Sequence, residues 1–145
     1  MNKRIIPINI LLINLFLLFN SEFCPGQWER CNGIYGADVY SFAASGNKIY
    51  AGTLFYGLYY STNNGQNWTE TSLQNSNVYS LATSGNNIFA GTITGVFRST
   101  NNGVNWSQTT LNNKTIEALA ISGNNIFAGT WSNGIYLSTD NGSNW

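Results

Sequence analysis

A chain of 145 residues holds at most one ordinary domain. Six basic residues balance six acidic ones, charged residues make up only 8 %, and there is no histidine. This leaves no field to steer a polyanion such as nucleic acid, and it rules out His-dependent triads and His-based metal sites. Aromatics at 14 % exclude a disordered tract, and the Asn, Ser, Thr and Gly that supply the remaining polarity suit short strands and tight turns.

The chain opens like an export signal. Lys3 and Arg4 form a basic start, and Ile5 to Phe19 is an apolar stretch of about 15 residues broken by Pro7, Asn9 and Asn14. A membrane span needs roughly 20. Cleavage after Gly26 fits best, with Cys24 and Gly26 as the small residues before the cut and residues 1–26 as signal peptide. An uncleaved anchor and a lipoprotein acylated at Cys24 are the alternatives. Ser21-Glu22-Phe23 is a poor match to the usual lipoprotein approach. Cleavage would leave Cys31 alone, whereas a retained Cys24 could pair with it in an oxidising compartment. Neither case completes a metal site, so no metal and no cofactor are expected.

From Gln27 onward the chain carries Glu29, Asp38, Glu70, Glu117 and Asp140 against Arg30, Lys48, Arg98 and Lys114, a net charge of −1. Three segments then align almost without gaps: Val39 to Trp68, Val78 to Trp106 and Ile116 to Trp145. Their closing tryptophans are 38 and 39 positions apart, the length of one supersecondary unit that cannot bury its own core. Turn signals split each unit into four short strands. In the second they are Val78–Thr83, Ile88–Thr92, Val96–Ser99 and Trp106–Leu111. Between them lie Ser84-Gly85-Asn86-Asn87, a short loop ending at Gly95, and the hairpin turn in TNNGVN.

Four antiparallel strands per repeat of about 40 residues describe a β-propeller blade. Blades stack face to face, which explains why the second strand, IFAGT, does not alternate cleanly between apolar and polar. The Ala-Gly pair recurring there (Ala51-Gly52, Ala90-Gly91, Ala128-Gly129) lets neighbours approach closely. The expected fold is therefore all-β, a partial, open propeller over residues 27–145. Its blades are 39–77, 78–115 and 116–145, the last lacking its outer strand. Trp28 precedes Val39 by 11 positions, much as Trp68 precedes Val78 by 10, so 28–38 reads as a lone outer strand. Closed propellers have about four to eight blades. The expectation is therefore an N-terminal fragment of a longer protein, with the remaining blades as its partners.

The octets closing the repeats are STNNGQNW, STNNGVNW and STDNGSNW. They resemble the Asp box, S-x-D-x-G-x-T-W, of the BNR/Asp-box propeller family. The matching positions are Ser61, Asn63, Gly65 and Trp68; Ser99, Asn101, Gly103 and Trp106; and Ser138, Asp140, Gly142 and Trp145. Two copies carry Asn in place of Asp, and all three carry Asn in place of Thr. An Asx oxygen can take hydrogen bonds from turn N–H groups, Gly supplies positive φ, and the indole seats the hairpin. A structural role is favoured over a calcium or ligand site at Asp140. The WD-type signatures of other propellers are absent.

The resemblance implies either of two functions. In that family the box lies away from the catalytic face, and members include sialidases and endoglucanases. The sialidase arginine triad has no match here, since Arg30 and Arg98 sit in no such motif. Glu117 is the best acid candidate: it replaces Tyr40 and Tyr79 on the innermost strand and could face the channel, where the plainer reading is a solvated lining residue. Arg98, replacing Tyr60 and Leu137, reads as a blade-surface residue. The loop between second and third strands varies most (Leu54-Phe55-Tyr56, Ile93-Thr94, Trp131-Ser132-Asn133). Phe55, Tyr56 and Trp131, with Glu117, are the candidate ligand-binding face for a protein or glycan, packing between loops being the alternative. The leading expectation is a secreted, non-catalytic module for binding or scaffolding at the cell surface. It resembles type IX secretion cargo, and in its repeat photosystem II assembly factors. The second is a glycoside hydrolase with its carboxylates mostly downstream.

Overall fold

The computed structural model describes residues 33–145. The expected signal peptide 1–26, Cys24, Cys31, Arg30 and residues 28–32 of the expected lone strand lie outside that range. Gly33 and Ile34 lie inside it and belong to no strand.

All helix and strand structure among the described residues is strand. The elements are β1 (Val39–Ser45), β2 (Lys48–Thr53), β3 (Gly57–Ser61), β4 (Thr69–Glu70), β5 (Val78–Ser84), β6 (Asn87–Thr92), β7 (Gly95–Ser99), β8 (Ser107–Asn112), β9 (Ile116–Ser122), β10 (Asn125–Thr130) and β11 (Ile135–Ser138). They form three antiparallel meanders in the orders β1-β2-β3-β4, β5-β6-β7-β8 and β9-β10-β11. The architecture is a partial, unclosed β-propeller. In the second sheet the strands lie within one residue of the bounds read from the sequence.

The outer strands are less regular than the turn pattern implies. In the first sheet β4 is only two residues long. The Thr71 hydroxyl accepts the Leu73 N–H at 3.1 Å, a local bond that competes with the ladder. The edge still holds on to β3, because Thr71 N–H donates to Leu58 C=O and Leu58 N–H to Leu73 C=O. In the second sheet Thr109 does the same to Leu111 at 3.3 Å, beside a register shift against β7.

The core lies between the sheets rather than within them. Tyr50, Leu58 and Leu73 of the first sheet meet Val78, Ile88 and Ala90 of the second. Phe89, Val96 and Leu111 of the second meet Ile116, Ile126 and Ala128 of the third. Each sheet thus has a rear face carrying the second-strand aromatic and a front face carrying the first residue of its first strand. Glycine sets the spacing. A Cβ on Gly52 would meet Ser41 Oγ of its own sheet and stand 2.6 Å from Val78 Cγ1 of the next, and one on Gly91 would meet Ser80 Oγ and stand 2.8 Å from Ile116 Cγ2. Gly91→Ala should therefore crowd Ser80 within its own sheet as well as Ile116 of the third, costing about 1–3 kcal/mol as overpacked cores do. Urea unfolding measures this, and an unchanged midpoint would refute the close approach.

Candidate functional site

The stacked sheets present two ends. The β1–β2 and β3–β4 turns and their counterparts lie at one. The β2–β3 loops and the connections between sheets lie at the other. At the first end the three closing octets adopt one geometry. Ser61, Ser99 and Ser138 each direct the hydroxyl to the Asx oxygen two residues on, at 2.9, 3.0 and 2.9 Å. The same hydroxyls accept the N–H of Gly65, Gly103 and Gly142 at 2.9, 2.9 and 2.8 Å. The oxygens of Asn63, Asn101 and Asp140 then accept the N–H of Asn67, Asn105 and Asn144. Asn64, Asn102 and Asn141 take positive φ as well as the glycines that follow them, a conformation Asn tolerates better than most residues. The Trp106 indole N–H donates to Gly103 C=O at 3.2 Å, closing its turn.

The next sheet uses these turns as well. Tyr50 Cε1 lies 2.9 Å from where a Cβ on Gly103 would be, and Phe89 Cε1 is 2.7 Å from the same point on Gly142. The Tyr50 hydroxyl and the Lys48 ammonium both donate to Asn102 C=O. A cavity of about 440 Å³ opens here, lined by residues from Ser45 to Lys48, Gly85 to Asn86 and Asn101 to Asn102, and by Val104.

The opposite end carries the groove of interest. In every sheet the first strand bulges at its second residue. Val39 pairs with Thr53 and Ser41 with Gly52, leaving Tyr40 as the extra residue. Tyr79 and Glu117 occupy the same place, between Val78 and Ser80 and between Ile116 and Ala118. A bulge bends the strand and re-aims one side chain, and it does so here three times in register. The adjoining loops are pinned alike: Leu54, Ile93 and Trp131 donate their N–H to Asp38, Asn77 and Thr115 C=O at 2.9, 3.3 and 3.0 Å. The result is one open groove of about 420 Å³ lined by Tyr40, Tyr79, Ile93, Thr115, Glu117 and Trp131. Its volume falls in the range of small-ligand sites, about 300–1,000 Å³. Tyr40 and Tyr79 meet edge to face, with ring centroids 5.8 Å apart. Trp131 is 77 % exposed.

The four residues expected on a binding face separate. Glu117 and Trp131 come together in the groove, while Phe55 and Tyr56 do not line it. Phe55 is nonetheless tied to its wall. It holds a left-handed φ of 70°, costly for an aromatic residue, because its N–H donates to Asn77 Oδ1 at 2.8 Å. Asn77 Nδ2 in turn donates to the Tyr79 hydroxyl at 3.2 Å. Arg98 lies away from the groove, donating to Asn87 Oδ1 and standing over the Phe89 ring. Tyr40, Tyr79, Ile93 and Thr115 are the lining residues not singled out as candidates from the sequence, and of these the two tyrosines are delivered by the strand. Their signal is the bulge, which depends on register with the neighbouring strand.

The one described group with a strongly shifted ionisation sits at the other end. The Asn144 backbone N–H, the Asn144 side-chain amide and the Ser138 hydroxyl all donate to Asp140, holding its carboxyl at about 2 against an ordinary 3.8. Folding favours the ionised form, so this support is complete above pH about 4 and is lost as the pH falls through about 2. A carboxyl NMR titration should place Asp140 near 2; a midpoint at 3.8 would mean the turn does not hold it.

No protein-family model and no curated protein sequence matches the chain. Solved structures do. An ancestral GH74 enzyme is 28 % identical over 76 % of this chain, with a TM-score of 0.67. The extracellular domain of BT4673 from B. thetaiotaomicron is 27 % identical over 71 %, with a TM-score of 0.57. YCF48 bound to D1 peptide is 19 % identical over 75 %, with a TM-score of 0.61, and bears on fold alone. These neighbours are β-propeller proteins, so the chain is a propeller-type repeat protein. It spans 18 %, 15 % and 40 % of their respective lengths.

Proposed function

We propose that this chain is a non-catalytic binding module of the BNR/Asp-box kind, taking a glycan or a protein segment in the groove of Tyr40, Tyr79, Glu117 and Trp131. The observation that carries the reading is the threefold bulge. Sheet packing explains the residues that repeat, but it does not require a Tyr, Tyr, Glu series delivered to one open groove beside an exposed Trp. Aromatic faces with one carboxylate suit a sugar ring and its hydroxyls, or an aromatic and basic peptide. The Asx turns fit the module's scaffold rather than its site, because Asn and Asp serve alike. Export through the leader at 1–26, in the manner of type IX secretion cargo, would place the groove outside the cell. The likeness to an extracellular domain is in keeping with this. YCF48 carries a D1 peptide on this fold, an example of the fold holding a protein segment.

A second reading, glycoside hydrolysis, is favoured by the likeness to a GH74 enzyme. The usual mechanism needs two carboxyl groups across the scissile bond, and Glu117 is the one carboxylate lining the groove. Glycan and peptide arrays probed with the full chain separate the two. Loss of a buried aromatic anchor typically costs about 2 kcal/mol, so Trp131→Ala and Tyr79→Ala should each weaken binding roughly 30-fold. Binding that survives both substitutions would exclude the groove. Turnover of chromogenic glycosides that disappears in Glu117→Gln would favour the hydrolase.

A further inference from the structure

Glu117 has no counterion among the described residues. The basic side chains in that range are Lys48, Arg98 and Lys114, and all three are engaged elsewhere. The Lys48 ammonium donates to Asn102 C=O and stands over the Tyr60 ring. Arg98 donates to Asn87 Oδ1 and stands over the Phe89 ring. Lys114 precedes Thr115 at the groove end, but its ammonium lies 5.5 Å from the centroid of the Tyr136 ring. Asp38, exposed on the approach to β1, adds a second negative charge at this end.

The rest of the lining is mostly aromatic. The ring planes of Tyr40 and Tyr79 stand 83° apart, and Trp131 brings a third ring. Its exposure is a property of the loop position. Ile93 holds the same position in the second sheet, which is packed on both sides, and is still 47 % exposed. The two loops are tied across the junction, because the Thr115 hydroxyl donates to Ile93 C=O at 3.3 Å while Thr115 C=O accepts the Trp131 N–H. A sugar asks for donors and acceptors to match each hydroxyl, and the groove is poorly equipped for that. The Thr115 hydroxyl is already committed, and no amide side chain is among the lining residues. The amide bonded to the Tyr79 hydroxyl, Asn77, is used at both ends.

We infer that the ligand of this groove is cationic, and that its anchor is an arginine side chain of a peptide segment held between Glu117 and the rings of Tyr79 and Trp131. This deepens the binding-module reading and rests on it. A guanidinium is planar, so it can stack on a ring face and still give two N–H groups to one carboxylate. The negative faces of the rings then act in the same sense as the Glu117 charge. A quaternary ammonium would use the rings alone, having no N–H to give Glu117. An open groove also admits a side chain that arrives on a longer chain.

NMR chemical-shift titration of the full chain tests it with three probes: the peptide Gly-Gly-Arg-Gly-Gly, the same peptide with citrulline for arginine, and cellotetraose. The arginine peptide should bind at roughly millimolar concentration and shift the groove residues. Citrulline keeps the shape and loses the charge, so its peptide should bind roughly tenfold more weakly. Glu117→Gln should weaken the arginine peptide by about the same factor and leave the citrulline peptide unchanged. Glu117 is exposed, and the other two sheets carry tyrosine at its position, so this variant keeps the fold; unchanged shifts away from the groove check that. Equal binding of the two peptides, or preference for cellotetraose, with loss in Trp131→Ala, would overturn the arginine anchor and leave the groove as the binding site. Binding that persists in both Trp131→Ala and Tyr79→Ala would overturn the anchor and the groove together. No binding of the arginine peptide would overturn the anchor.

Discussion

The structure depends on the close approach of one sheet to the next at a second-strand glycine. A four-stranded sheet of this length buries too little on its own, so its stability has to come from its neighbours. Gly52 and Gly91 let Val78 and Ile116 sink onto the backbone of the preceding sheet. Tyr50 and Phe89 reach the other way, onto Gly103 and Gly142 of the following one. The turn and the strand are thus two parts of a single joint. Gly103 and Gly142, the glycines of the second and third octets, satisfy positive φ and also leave bare the surface on which an aromatic ring lies. That dual demand accounts for the tolerance of Asn for Asp at the third position. The joint needs an acceptor oxygen and a missing side chain, which Asn supplies as Asp does, and the Asp140 carboxylate adds one bond of its own, from the Asn144 side-chain amide.

Stacking also decides where variation is allowed. Both faces of the second sheet are used, so a change there is felt by two neighbours. The ends of the strands are not so constrained. The first-strand bulge lifts one residue per sheet out of the ladder, and it is there that Tyr40, Tyr79 and Glu117 differ in chemistry. The β2–β3 loops are pinned through the backbone, by the N–H of Leu54, Ile93 and Trp131, while the Ile93 and Trp131 side chains stand exposed. The rigid backbone beneath and the variable side chains above have one cause.

Much of this was legible in the sequence, because turns and period are local. The Asn-Gly and Ser-Gly signals delimit the strands of the second sheet to within a residue, and the repeated octet sets the phase. Glu117 was legible as a departure from Tyr40 and Tyr79 at one strand position. Its joining with Trp131 was not, since that needs the bulge, and a bulge is a property of two strands in register. Phe55 is a similar case. Its left-handed backbone is held by Asn77, 22 residues away on the next sheet's approach, and nothing adjacent to Phe55 announces it. The shortness of β4 was not legible either, since the equivalent β8, with the same local threonine bond, runs for six residues.

The exposed apolar side chains acquire two separate meanings once the stacking is understood. Val39, Phe42, Phe127, Ile135 and Leu137 sit at positions whose equivalents are covered elsewhere in the same molecule, so the fold itself explains why they are apolar. Phe55 and Trp131 sit on loops, where the equivalent positions are Thr94 and the smaller Ile93 and no sheet contact calls for a ring. Exposure alone would pool the two sets into one hydrophobic surface. Repeat position separates them: the first set belongs to assembly of the propeller, and the second is left over after assembly is satisfied. A ligand would have to be read by that second set, together with the bulge residues beside it.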